Sequence, residues 1–241
     1  MAITIADNPN PPVLDVAEVV ALERRIAESS DGPDMLELML RAGRALAAAA
    51  QAMVGEKPCS ITILAGHGNN GGDGWAAADL LAQAGHRVNV VCSRGAHEIT
   101  ARPASVVANM LVGRIRAHEL DVKLSIMPKA SALDALLAGS SLIIDCMLGI
   151  GFGSSEVREP YASWITAANG ARTSYRAHIL AADVPSGLYA QTGLACPTCI
   201  NADATLTMLA VKPGLQSRIA EDHVGELLLA PLGIDIDEYP A

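Results

Sequence analysis

Aromatic residues are scarce in this chain: they make up 3% of 241 residues, with a single phenylalanine, although hydrophobic residues reach 51%. Its core must therefore be aliphatic, largely Ala, Leu, Ile and Val. Basic charge is in deficit as well. The formal net charge of −9 argues against nucleic-acid binding driven by a positive surface, although backbone N–H groups can still attract an anion locally. No apolar stretch approaches the roughly 20 residues of a membrane span, so no membrane partner is expected. Residues 1–12 carry no basic flank, which leaves no visible signal peptide, and residues 1–14 are expected to form a flexible tail. Five cysteines, an odd number in a long chain, suit a reducing compartment, and the expected location is cytoplasmic.

Residues 15–241 are expected to form one α/β domain, a size such folds often reach undivided. Two amphipathic helices come first, at residues 15–30 and from Pro33 or Asp34 to about Val54. Gly43 inside the second costs about 1 kcal/mol against Ala, which points to close helix packing. Strands and helices then alternate, the pattern of a parallel sheet. Expected strands are 60–65, 87–92, 122–127, 141–146, 177–182, 204–210 and 226–230. Expected helices are 74–84, 101–113, 129–138, 158–169 and a short piece after Pro213. The runs Leu142 to Ile144 and His178 to Ala182 are near-continuously apolar, as strands covered on both faces are.

Chemistry concentrates after three strand ends, where open parallel sheets bind ligands. The first is Gly66-His67-Gly68-Asn69-Asn70-Gly71-Gly72-Asp73-Gly74, with five glycines in nine positions. As a loop, it would let the backbone adopt positive φ, approach a ligand closely and offer the N-terminus of the next helix to an anion. A dinucleotide-binding turn is a rival reading, since Gly66, Gly68 and Gly71 fit G-x-G-x-x-G. The next strand, however, ends Cys92-Ser93-Arg94 without the acid that usually holds a ribose. The second end runs from Asp145 to Ser155 and the third is Asp183-Val184-Pro185-Ser186-Gly187-Leu188. Taken singly, Asp145 is also readable as a helix cap and Asp183 as a brace for a Pro-Gly turn. Three such loops arriving from separate strands favour an active site.

Other residues carry weaker signals. Ser186 sits in no nucleophile elbow, so its hydroxyl reads as a ligand to a cation or a substrate. Cys196-Pro197-Thr198-Cys199 has no second pair for zinc and no thioredoxin-like setting. His67 reads as a tolerated side chain, and Lys212 either as a phosphate contact or as a solvated lysine.

The stretch Gly68 to Gly74, Asp145 with Gly149-Ile150-Gly151, Val157-Arg158-Glu159-Pro160, Asp183 to Leu188, Ala202 to Thr205 and Lys212-Pro213-Gly214-Leu215 resembles the NAD(P)H-hydrate epimerase family in order and spacing. Leu38 to Gly43 is similar to the family's N-terminal helix, with Leu40 where an acid is usual. The resemblance spans about residues 15–232. It implies a Rossmann-like three-layer α/β/α sandwich with a mainly parallel central sheet and two N-terminal helices, commonly a homodimer. It implies a substrate, hydrated NADH or NADPH, whose R and S epimers are interconverted in nicotinamide nucleotide repair.

By the same resemblance, substrate contacts fall to Asn69, Asn70, Gly71, Gly72, Asp73, Gly149, Ile150, Gly151, Phe152, Gly153, Ser154, Ser155 and Asp183. Asn70, Asp145 and Ser186 would hold one potassium ion (K+) per subunit. Asp145 and Asp183 are the expected acid–base carboxylates. A separate dehydratase would complete the repair, since the chain is too short for the fused dehydratase domain of many bacterial members. The alternative is a non-catalytic nucleotide-binding or scaffold module of the same fold.

Overall fold

A computed structural model describes residues 3–4 and 10–240 of the chain. Two helices, α1 (Val16–Glu28) and α2 (Met35–Val54), precede the main sheet strands. Each opens on an acidic cap. Asp15 forms a capping box with Glu18, and the Asp34 carboxylate accepts from the Glu37 N–H at 2.8 Å.

The sheet has eight strands: β1 (Ile3–Thr4), β2 (Ser60–Ala65), β3 (Arg87–Cys92), β4 (Val122–Ile126), β5 (Leu142–Cys146), β6 (His178–Ala182), β7 (Ala204–Met208) and β8 (Glu226–Ala230). Their order is β1-β8-β7-β6-β5-β2-β3-β4. Strands β2 to β8 are all parallel, and the two-residue β1 joins antiparallel at the β8 edge. All seven expected strands are present. Short β1 carries no sequence pattern long enough to have announced it.

Alternation along the strands builds two cores. Ile61, Ile63 and Ala65 of β2 face α2, α3 (Asn69–Gln83) and α4 (Ala104–Arg116). Leu64 of β2 and Val91 of β3 face α5 (Ala130–Ala138) and α6 (Tyr161–Tyr175) on the other side. The result is the three-layer α/β/α sandwich. A four-residue α7 (Glu221–Val224) leads into β8. Among the described residues, no helix is long and apolar enough to cross a membrane.

Two expectations change. The described parts of segment 1–14 are tied down: Ile3–Thr4 pair with β8, and Val13 bridges to Val211. Residues 1–2 and 5–9 of that expected tail lie outside the described residues. The larger change concerns the glycine stretch, because α3 begins at Asn69 rather than at 74. None of its five glycines has a positive φ.

Four of these five glycines, all but Gly68, sit where other atoms approach the backbone closely. A Cβ on Gly66 would lie 2.0 Å from the Met147 carbonyl oxygen, and one on Gly71 would lie 2.1 Å from that of Gly66. A Cβ on Gly72 would strike Met39 of α2, and one on Gly74 would strike Cys146 of β5. Gly43 of α2 meets Ala76 of α3 in the same way, at 2.3 Å, as its place inside a helix suggested. Each helical glycine costs about 1 kcal/mol of propensity, which the dense packing of α2, α3 and the sheet offsets.

Candidate functional site

Strand order reverses between β2 and β5. Their chains leave the sheet side by side there, tied by Gly66 N–H donating to the Cys146 carbonyl at 2.9 Å. A cavity of about 930 Å³ opens beyond this point, at the switch in strand order where such sheets bind ligands. Its floor includes Gly68, Asn69, Asn70 and Asp73 from the start of α3. The stretch Met147 to Ser154 supplies a second wall, and Asp183 with Met208 and Leu209 a third. Helices α1 and α2 close it with Val20, Glu23, Arg24, Leu38 and Met39.

The N-terminus of α3 enters this cavity through Gly68, its N-cap, which makes no side-chain cap. Its first N–H groups and the positive end of its dipole are thus left for an anionic ligand. Gly149 lies against Asn70, where a Cβ would sit 3.2 Å from that of the asparagine. Gly151 and Gly153 have open space instead.

Asp183 stands at the carboxyl end of β6 with φ of 64°, a left-handed conformation that aspartate tolerates better than most residues. Its Oδ1 accepts from Lys212 Nζ at 2.5 Å, Thr207 Oγ1 at 3.2 Å and the Met208 N–H at 3.2 Å. Lys212 is neither a solvated lysine nor a phosphate contact. Its side chain is 1% exposed, and Nζ also donates to Thr207 Oγ1 and the Met208 carbonyl, both at 3.0 Å. Lys212 is the buried counter-ion of Asp183.

Asp145 has a different position from the one expected of a catalytic carboxylate. It is fully buried and does not line the cavity. Its Oδ2 accepts from the Ser186 N–H at 2.7 Å. Its Oδ1 accepts from Ser186 Oγ at 2.6 Å and the Met147 N–H at 3.2 Å. Burial pushes this carboxyl up to about 6, against the lowering effect of those bonds. Ser186, also buried and off the cavity, receives the Leu148 N–H on its Oγ at 2.9 Å. The Leu148 carbonyl in turn accepts from Asn70 Nδ2 at 2.8 Å. Asn70 on the cavity floor is thus linked through Leu148 to Ser186 and Asp145 behind the wall. Asn70 Oδ1 is buried and has no hydrogen-bond partner.

Of the residues expected to touch substrate, Asn69, Asn70, Asp73, Asp183 and the run Gly149 to Ser154 line the cavity. Gly71 and Gly72 do not, because the helix turns them into its packed interior. Ser155 does not either; it faces solvent, and its carbonyl accepts from Cys196 Sγ at 3.3 Å. Cys196 and Cys199 are both buried and free. Asp203 is structural: it accepts from the Ile179 N–H at 2.7 Å and pairs with Arg172.

Sequence reasoning missed Glu23. It lies on α1, outside every strand-end motif, and only the packing of α1 brings it to the cavity. Burial, with Asp183 adding and Lys212 opposing, raises its carboxyl to about 7. Asp73 is pushed well above the usual carboxylate range, first by burial and then by Asp183 and Glu23. At another part of the wall, Tyr161 Oη bonds to His67 Nδ1 at 2.9 Å and Ser93 Oγ at 2.7 Å. His67 is therefore part of the cavity lining.

Residues 35–214 match the family described as YjeF-related protein N-terminus, and the chain belongs to this family. It is 32% identical over 212 residues to the NAD(P)H-hydrate epimerase of Pirellula staleyi, covering 85% of this chain and 88% of that protein. It is 33% identical over 216 residues to the bifunctional NAD(P)H-hydrate repair enzyme Nnr of Escherichia coli. That match covers 89% of this chain and 38% of the relative, so the chain spans about two fifths of the bifunctional proteins. The crystal structure of the yeast protein YNL200c shares the fold, with a TM-score of 0.71, 20% identity and coverage of 90% and 86% of the two chains.

Proposed function

We propose that the chain is an NAD(P)H-hydrate epimerase, an isomerase that interconverts the R and S forms of hydrated NADH or NADPH. The observation that carries this reading is the pairing, in one cavity, of an anion-receptive helix terminus with the Lys212-clamped Asp183. A nucleotide needs the first for its phosphates, and hydrated nicotinamide needs the second at its ring. In the substrate, the hydroxyl sits on a carbon bonded to the ring nitrogen. The nitrogen lone pair expels it as water once a proton reaches the oxygen, leaving an iminium-like cation. Water returning to the opposite face, with loss of a proton, gives the other epimer. A carboxylate beside the ring stabilises that cation, and acid–base assistance of this kind contributes about 100- to 10,000-fold.

Asn70, Asp145 and Ser186 would hold a potassium ion. The orphaned Asn70 Oδ1 supports this, as does an all-oxygen donor set, which suits a hard cation. One carboxylate among neutral oxygens matches a single positive charge. Among the described residues, no cluster of His, Cys, Asp and Glu fits a metal that needs more acidic or softer ligands. Bound there, the ion supplies a positive charge that offsets the buried Asp145 carboxylate and joins the loops after β2, β5 and β6. In this reading Asp145 is a cation ligand, and Asp183 alone of the two expected carboxylates meets the substrate. A dehydratase acting on one epimer would consume the product.

The test starts from one purified epimer of hydrated NADH and follows its conversion by chromatography without added oxidant. The wild type should equilibrate the pair, and Asp183→Asn should slow exchange about 100-fold or more. Binding without exchange would support the scaffold alternative and end the enzymatic reading.

A further inference from the structure

Epimerisation needs an acid and a base in the same cavity, and the role assigned to Glu23 rests on the epimerase reading. Asp183 is ion-paired to Lys212 through Oδ1, and among the described residues no hydrogen bond engages its Oδ2, which leaves that oxygen to meet the cation and to take up a proton. The departing hydroxyl needs a second group that carries a proton, so the acid must come from elsewhere on the wall. His67 and Tyr161 are bonded to each other, and burial lowers the first while raising the second. Asp73 is pushed well above the usual carboxylate range, first by burial, and stands as the rival acid.

Glu23 differs from all of these. It is half-buried on the cavity wall, and among the described residues no hydrogen bond or ion pair engages its carboxyl. It shares the cavity with Asp183 and Asp73, and its approach through α1 leaves it independent of the sheet's hydrogen-bond network.

We propose that Glu23, carried into the cavity by α1, is the general acid of the epimerisation. Its proton moves to the ring hydroxyl oxygen as the C–O bond breaks, and the ring nitrogen's lone pair forms the C=N bond. Water then adds to the opposite face of the same carbon. The surplus proton of that water goes to Asp183 and passes from there back to Glu23, restoring the starting state. No oxidant or second substrate enters, and the released and added waters balance.

The surroundings of Glu23 support the assignment. Asp183 after β6 faces it with like charge and Lys212 after β7 opposes, Glu23 in turn acts on Asp73 of α3, and Arg24 and Glu28 of its own helix line the same cavity. Burial, with Asp183 adding and Lys212 opposing, brings its carboxyl to about 7, where a group both gives and regains a proton readily.

Wild type, Glu23→Gln, Glu23→Asp and Asp73→Asn should be compared for exchange of one epimer of hydrated NADH, from about pH 5.5 to 9. The wild-type kcat should fall on the alkaline side with a midpoint near 7, as an essential acid loses its proton. Glu23→Gln should lower kcat about 100- to 1,000-fold at neutral pH and flatten that limb, with KM moving less than about threefold. Glu23→Asp and Asp73→Asn should keep the limb. A Glu23→Gln enzyme with wild-type kcat and an intact alkaline limb overturns the proposal. So does loss of the limb in Asp73→Asn with Glu23 present, which assigns the proton to Asp73. A wild type that exchanges no epimers at any pH overturns the functional reading itself, and the role of Glu23 with it. That outcome is told apart because it strikes the parent enzyme.

Discussion

Lys212→Met offers the sharpest perturbation of the site, because it removes one charge and leaves the shape of the side chain nearly intact. Lys212 is 1% exposed and its Nζ has three oxygen partners at 2.5 to 3.0 Å. Methionine fills the same channel and satisfies none of them. Asp183, 13% exposed at its side chain, keeps its charge beside an apolar neighbour. Removing one partner of a buried pair costs about 3–5 kcal/mol, mostly the penalty of the charge left behind. Set against a total stability of about 5–15 kcal/mol, the loss is large. Urea unfolding followed by circular dichroism should show a midpoint lower by about 1–2 M, for a slope of about 3 kcal/mol per M. Adding Asp183→Asn to Lys212→Met removes the stranded charge, so the double variant should recover about 2 kcal/mol relative to the sum of the singles. A Lys212→Met protein within about 1 kcal/mol of wild type, or strictly additive losses, would refute the buried-pair reasoning.

Two further outcomes are expected from the glycines and the cation site. Gly66→Ala places a Cβ 2.0 Å from the Met147 carbonyl oxygen and should cost about 3 kcal/mol or more. Gly153→Ala meets nothing within 4 Å and should stay within about 0.5 kcal/mol in the same urea titration; equal losses would contradict the close-approach account. Potassium should raise the melting temperature more than choline at equal ionic strength, by a free energy of about 2.7 kcal/mol at 100 times its dissociation constant. Asn70→Ala should abolish that increment, and identical melting in both salts would remove the cation assignment.

The sequence by itself determined the layers of this protein. Apolar runs bounded by turn residues marked the seven parallel strands, and alternation with helices required both faces to be covered, because a strand's hydrogen-bonding and side-chain period are local properties. The motifs after β2, β5 and β6 were legible for the same reason, since a parallel sheet delivers those ends to one edge. Tertiary structure decided how their residues divide. Asp183 reached the cavity while Asp145 was drawn behind its wall by Ser186 and Met147. Glycines that suit a ligand loop instead start a helix, and at Gly66, Gly71, Gly72 and Gly74 neighbouring atoms occupy the space of the missing Cβ. Lys212 and Glu23 acquired their roles only through burial and through neighbours far away in the chain. Charge energetics depend on distances and solvent access that three-dimensional packing creates, and no spacing along a chain encodes them directly.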